Sequence, residues 1–203
     1  MIVALISGRG SNLQALLDAG LPVAAAISNR AEAEGLRIAA ARGVATGVVD
    51  HRGFASRQAF DTALAAEIDR YAPRLLALAG FMRVLTPGFV ERYRGRFLNI
   101  HPSLLPAFPG LDTHARALAA GVKLHGCTVH FVTAELDSGP IVIQAAVPVR
   151  PSDDAGTLAA RVLKQEHLIY PRAARWFLDG SLSIRDGVVR VNGDHAQFIL
   201  SPD

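Results

Sequence analysis

Cysteine is nearly absent. Cys127 is the only one in 203 residues, which excludes an intrachain disulfide and any cysteine-rich metal site. No apolar run reaches the roughly 18 residues that a membrane-spanning helix needs. Lysine is scarce too, with Lys123 and Lys164 alone, so the basic charge is mostly arginine. Those arginines are scattered and form no block of like charge that would suggest a nucleic-acid tail. Twenty-one basic against 18 acidic residues leave a formal charge of +3. An excess that small favours small anionic ligands at least as much as polynucleotide. Neither a nucleic-acid partner nor a membrane is expected. There is no H-E-x-x-H pair, and His101, His114 and His130 lack a metal-ligand spacing, so no metal is expected. No G-x-S-x-G elbow is present, and Cys127 has no helix N-terminus to lower its pKa. Covalent nucleophilic catalysis is unsupported. Internal repeats and low-complexity linkers are missing as well.

What remains is a chain with 50% hydrophobic residues, long enough for one domain with a large core. MIVALI at the start lacks a basic flank and runs into a glycine turn. It reads as a first buried strand and not as a signal peptide, and a reducing cytoplasm is the expected setting. Ser7-Gly8-Arg9-Gly10-Ser11-Asn12 comes next, then the helical spacing Leu13, Leu16, Leu17. Strand, glycine turn, helix is a geometry that can hold an anion on the helix-start N–H groups, with Gly10, Ser11 and Asn12 as candidates. An ordinary strand-to-helix turn is the bland alternative. The dinucleotide fingerprint fails because residue 13 is leucine, and no Walker Gly-Lys-Ser/Thr is present after the turn.

Alternating strand and helix patterns continue. Strands are expected at Val23–Ile27, Thr46–Val49 and Leu75–Ala79, with helices at Ala31–Ala41 and after Ser56. Ser56 suits a helix cap, and Phe60, Leu64, Ile68 and Tyr71 form a stripe toward the core. His51 reads as a solvated loop residue. The segment Phe81-Met82-Arg83-Val84-Leu85 is an unusually apolar loop. It could line a pocket for a flat organic group or pack under the next helix. Thr86-Pro87 suits an N-cap and first helical position.

The stretch RFLNIHPSLLPAFPGLDTHAR is the centre of the chain. Asn99 and His101 are two residues apart, hence on one face of a strand ending near Asn99. An amide and an imidazole at a strand mouth can stabilise an oxyanion and move a proton. A loop histidine capping local backbone is the alternative. Pro102, Pro106 and Pro109 stiffen the loop after His101, and a helix is expected over 113–120. His114 reads as a helix-surface residue and His125 as a strand-entry one. GCTVHFV and IVIQAAVPV, joined by an acidic turn around Asp137, read as antiparallel neighbours, so the sheet should be mixed. Asp137 is either a turn former or a carboxylate that orients an imidazole. Asp153–Phe177 is the longest helical pattern, with Pro171 as a kink or break. Alternation around Asp186-Gly187 predicts a terminal hairpin appendage.

Five stretches together resemble the phosphoribosylglycinamide formyltransferases, the folate-dependent glycinamide ribonucleotide transformylases of purine synthesis, within the formyltransferase superfamily. They are ISGRGSNLQALLDAG, LALAGFMRVLTPGFV, FLNIHPSLLPAFPGLDTHARAL, GCTVHFVTAELDSGPIVIQAAVPV and ARVLKQEHLIYP. NIHPSLLP with a downstream ELD-x-GP is specific to the superfamily, and GSNLQ narrows it to the glycinamide ribonucleotide branch. The resemblance implies an α/β, Rossmann-like fold: a largely parallel twisted sheet flanked by helices, with antiparallel strands in the C-terminal half. It implies one formyltransferase domain over 1–203. A nucleotide-binding half would cover 1–100, a folate-binding and catalytic half 101–180, and a hairpin 181–203. The implied catalytic residues are Asn99, His101 and Asp137. Gly10, Ser11, Asn12 and Glu166 would hold the ribonucleotide. Met82, Arg83, Val84, Leu85 and Asn99 would hold the folate. Where the family often carries lysine or glutamine near the phosphate, this chain has Leu163, and the family often keeps the bond matching Leu105-Pro106 cis. The co-substrate would be 10-formyltetrahydrofolate, the acceptor glycinamide ribonucleotide, and the assembly a monomer or homodimer.

Three other readings are open. Formyltetrahydrofolate deformylase uses water in place of the amine, but usually carries an additional N-terminal regulatory domain, whereas this chain begins at strand one. Methionyl-tRNA formyltransferase shares the core motif and adds a C-terminal RNA-binding barrel, whereas only a hairpin is expected here. A non-catalytic α/β ligand-binding domain is the alternative of a different class; it predicts that Asn99, His101 and Asp137 lie apart.

Overall fold

The computed structural model describes residues 1–193 and 195–201. The chain divides into two compact units, Met1–Asn99 and Ile100–Asp203.

The first unit alternates strand and helix. Strands β1 (Ile2–Ile6), β2 (Val23–Ser28), β3 (Ala45–Val48) and β4 (Leu75–Leu78) are all parallel, and the first residues of β5 (Phe97–His101) join them. Their order is β5-β4-β1-β2-β3. Parallel strands need helical crossovers, and α1 (Ser11–Asp18), α2 (Glu34–Ala41), α3 (Arg57–Asp69) and α4 (Pro87–Arg92) supply them. Every residue of β1 is buried, as its unbroken apolar run requires. Leu13 and Leu16 from α1 and Phe60, Leu64 and Ile68 from α3 complete the core. Tyr71 lies past the end of α3, so the stripe stops at Ile68. Ser56 accepts the Ala59 N–H and Thr86 the Phe89 N–H, both as cap residues, and Pro87 opens α4. The helix expected from Ala31 starts only at Glu34, because Ala33 is extended and takes the cap position.

In the second unit, β6 (Leu124–Phe131) and β7 (Ile141–Pro148) are antiparallel, in register from Leu124 opposite Pro148. The register shifts between Val129 and His130. Helix α5 (Thr113–Ala119) precedes them, and α6 (Ala155–Leu178) comes after. Asp154 and Thr157 form a capping box at the start of α6. Pro171 does not break this helix; the chain stays helical to Leu178. The missing N–H costs on the order of 3 kcal/mol in a helix interior. Leu158, Val162, Ile169, Ala173 and Trp176 bury one stripe on both sides of the proline, and that packing carries the helix through. Strands β8 (Leu182–Arg185) and β9 (Val188–Val191) form the hairpin around Asp186-Gly187. Val189 is buried, and Gln197 Nε2 donates to the carbonyls of both Val142 and Val189, tying the hairpin to β7. A further strand, β10 (Phe198–Leu200), pairs parallel with β7 and has no counterpart in the sequence pattern. Among the described residues, no helix is long and apolar enough to cross a membrane.

Candidate active site

In the first unit, the turn after β1 carries Gly10, Ser11 and Asn12. Gly10 occupies the cap position of α1 with φ of 77°, and no side chain caps the helix. Its left-handed backbone suits glycine. A second constraint is space: a Cβ on Gly10 would stand 2.5 Å from Gly35 Cα. Gly35 at the start of α2 donates its N–H to the Gly8 carbonyl at 3.0 Å, which holds the turn. Asn12 is buried and Ser11 half-buried. An uncapped helix start with small side chains is an arrangement that can accept an anion.

The loop between β4 and α4 belongs to the same unit. Phe81 is buried, whereas Met82 and Val84 are 61% and 57% exposed. Arg83 is exposed and Leu85 half-buried. Phe81 thus turns inward, while Met82 and Val84 face outward. Sequence reasoning missed Ser7, whose Oγ accepts the Met82 N–H at 2.8 Å and donates to Asn29 Oδ1 at 2.6 Å. A serine at a strand end carries no distinguishing signal. His51 is a correction: its Nδ1 lies 3.1 Å from Asn29 Nδ2 and 3.0 Å from the Asn29 carbonyl, in place of the solvated position expected. A 3-10 turn at His51–Gly53, with Asp50 accepting the Arg52 N–H, directs the ring inward.

Strand β5 runs two residues beyond the expected end and so carries Asn99 and His101 on regular strand geometry. Asn99 is half-buried and His101 buried. In the second unit, His101 Nδ1 stands 3.5 Å from Asp137 Oδ2, and its Nε2 donates to the Phe108 carbonyl at 3.0 Å. Both ring nitrogens thus face acceptor atoms. Asp137 sits in the turn between β6 and β7 with φ of 51°, and its Oδ2 accepts the Gly110 N–H at 2.8 Å. Gly139, two residues on, packs so tightly that a Cβ there would overlap the Phe131 carbonyl, at 1.8 Å. His130, also missed, places Nε2 3.8 Å from Asp137 Oδ1 while Nδ1 donates to the Phe131 carbonyl. Burial pulls its pKa below the usual histidine value, opposed by that carbonyl and by Asp137.

The loop after His101 is pinned by Thr128. Its Oγ1 donates to the Ser103 carbonyl and accepts from the Leu105 N–H and from Gln144 Nε2. The Leu105-Pro106 bond is cis. His114 lies on α5 and His125 at the entry of β6, and the two meet: His125 Nε2 lies 3.2 Å from His114 Nδ1. Burial, then the neighbouring histidines, drive the pKa of His125 down to about 4. Glu166 is buried on α6, near enough to Cys127 to help burial push that thiol up. Leu163 is half-buried and Lys164 exposed on the same helix. Among the described residues no group of His, Cys, Asp or Glu has the arrangement of a metal site.

The formyl transferase family model matches residues 1–174. Over 198 residues the chain is 51% identical to the phosphoribosylglycinamide formyltransferase of Escherichia coli (strain K12), covering 95% of this chain and 93% of that one. The structure of the phosphoribosylglycinamide formyltransferase of Coxiella burnetii superposes with a TM-score of 0.92 at 46% identity, covering 99% and 98% of the two chains. The human trifunctional purine biosynthetic protein adenosine-3 is 42% identical over 189 residues, covering 90% of this chain and 19% of that longer protein.

Proposed function

The chain belongs to the formyl transferase family, and from that premise we propose that Asn99, His101 and Asp137 carry out its transfer chemistry. The overall reaction moves the formyl group of 10-formyltetrahydrofolate to the amine of glycinamide ribonucleotide. Its products are formylglycinamide ribonucleotide and tetrahydrofolate. The supporting observation is the 3.5 Å approach of His101 to Asp137, on the strand that also presents Asn99.

The neutral amine attacks the formyl carbon, and the carbonyl π electrons move onto oxygen. Asn99 donates its side-chain N–H to that oxyanion, and His101, protonated or hydrogen-bonded, stabilises it further. One such donor is worth roughly 3 kcal/mol of barrier. Asp137 holds the imidazole and takes up the amine proton through water. The folate nitrogen regains a proton, the carbon–nitrogen bond to folate breaks, and the carbonyl reforms. Because an ammonium cannot attack, turnover falls in acid.

Gly10, Ser11 and Asn12 take the substrate phosphate on the start of α1, and Glu166 takes the ribose hydroxyls. Met82, Arg83, Val84 and Leu85 line the pterin pocket, with Asn99 at its reacting end. Holding both reactants in register supplies the proximity contribution. A cytoplasmic setting, where a thiol such as Cys127 stays reduced, suits this reading. Monomer and homodimer are both compatible with it.

The test is an assay of 10-formyltetrahydrofolate conversion with and without glycinamide ribonucleotide. Tetrahydrofolate should appear only with the amine present. Equal conversion in its absence would mean that water is the acceptor, as in a deformylase.

A further inference from the structure

We propose that Ser7, held in place by Asn29, is a positioning residue for the loop Met82–Leu85. The inference rests on the proposed assignment of this loop to the folate. Exposed Met82 and Val84 side chains cannot anchor their own backbone, so the loop needs a polar tie. Ser7 supplies two: its N–H donates to the Gly80 carbonyl at 3.1 Å, and its Oγ accepts the Met82 N–H at 2.8 Å. With that lone pair engaged, the hydroxyl proton goes to Asn29 Oδ1 at 2.6 Å.

Asn29 is 1% exposed, and its Oδ1 is the atom turned toward Ser7. Its Nδ2 lies 3.1 Å from His51 Nδ1, which also lies 3.0 Å from the Asn29 carbonyl. The hydrogen bonds therefore run one way, from the Met82 N–H to Ser7 and from Ser7 to Asn29. The Ser7–Asn29 link is buried and fixes the hydroxyl strongly, because breaking it leaves a polar group without water. Ser7 is also the residue immediately before Gly8, where the anion turn begins. One side chain thus links the backbone of the ribonucleotide turn to that of the folate loop, without itself touching either substrate.

The test compares Ser7→Ala, Ser7→Thr and the parent enzyme in steady-state kinetics, with the thermal midpoint measured alongside. Misplacing a binding loop weakens ground and transition states together, so KM changes and kcat does not. Ser7→Ala should raise the KM for 10-formyltetrahydrofolate by about five- to tenfold, as expected for one lost buried hydrogen bond. The kcat and the KM for glycinamide ribonucleotide should each stay within about twofold. Ser7→Thr keeps the hydroxyl and should restore the folate KM. An unchanged folate KM in Ser7→Ala overturns the proposal, and so does a uniform loss of kcat with both KM values fixed. Should Ser7→Ala fail to fold, Asn29→Asp and Asn29→Leu decide. Asp keeps an acceptor for the Ser7 hydroxyl and Leu does not, so only Leu should raise the folate KM; equal effects overturn the proposal. Val84→Asp separates this inference from its premise. If its folate KM is normal, the loop assignment itself fails and takes the inference with it. If its folate KM rises while that of Ser7→Ala does not, only the role of Ser7 fails.

Discussion

Asp137 Oδ2 faces His101 Nδ1 at 3.5 Å while accepting the Gly110 N–H at 2.8 Å. One carboxylate thus orients the imidazole and fastens the end of the proline loop. Asp137→Asn keeps the shape and an oxygen for Gly110 but removes the charge between His101 and His130. Turnover should fall at least about tenfold with the thermal midpoint shifted by no more than about 3 °C. Near-normal turnover would remove Asp137 from the mechanism.

Asn99 is the proposed oxyanion donor, and its side chain is only half-buried. In Asn99→Ala, losing one oxyanion donor lowers kcat by about 100-fold or more. The KM values should move far less, since the oxyanion exists only beyond the ground state. If instead KM rises and kcat holds, Asn99 binds substrate without stabilising the intermediate.

How much of the fold and site is legible in the sequence depends on the range of the interactions. The β1–turn–α1 unit, the caps at Ser56 and Thr86, and the hairpin at Asp186-Gly187 are set by neighbours within a few residues, so pattern and cap chemistry locate them. Asn99 and His101 share a strand, so their spacing already places them on one face. The Asp137–His101 contact depends on where the β6–β7 turn returns, and the residues alone leave Asp137 open between turn former and partner. The links from Ser7 to Asn29 and Met82 span 22 and 75 positions, with no local signature. Strand β10 is three residues long and is ordered by pairing with β7, too short for any periodicity. Its formation is a tertiary effect.

The burial of His125 beside His114 gives a pH dependence of stability. The pKa of His125 is about 4 in the folded chain against an ordinary 6.5. Between those values the unfolded chain binds the extra proton and the folded chain does not. Stability is therefore complete above pH 6.5 and is lost as the pH falls toward 4, by on the order of 3 kcal/mol at most. His114, which is also lowered, adds in the same direction. Urea unfolding from pH 7.5 to about 4 should show this slope in the parent chain and a flatter one in His125→Gln. Equal slopes in the two proteins would place the linked proton elsewhere.

Gly35 offers a test of the anion turn that leaves Gly10, Ser11 and Asn12 untouched. A Cβ at position 35 would stand 2.6 Å from Ile6 Cδ1 and 3.0 Å from Gly10 Cα. The isoleucine tip can rotate away, but the Gly10 backbone can yield only by moving the turn. Gly35→Ala should thus displace the start of α1 and lower the thermal midpoint by a few degrees, about 1–2 kcal/mol of overpacking. If the turn holds the phosphate, the KM for glycinamide ribonucleotide should rise at least about fivefold while the KM for 10-formyltetrahydrofolate stays within about twofold. A lower midpoint with both KM values unchanged would mean that the strained turn is not where the phosphate binds.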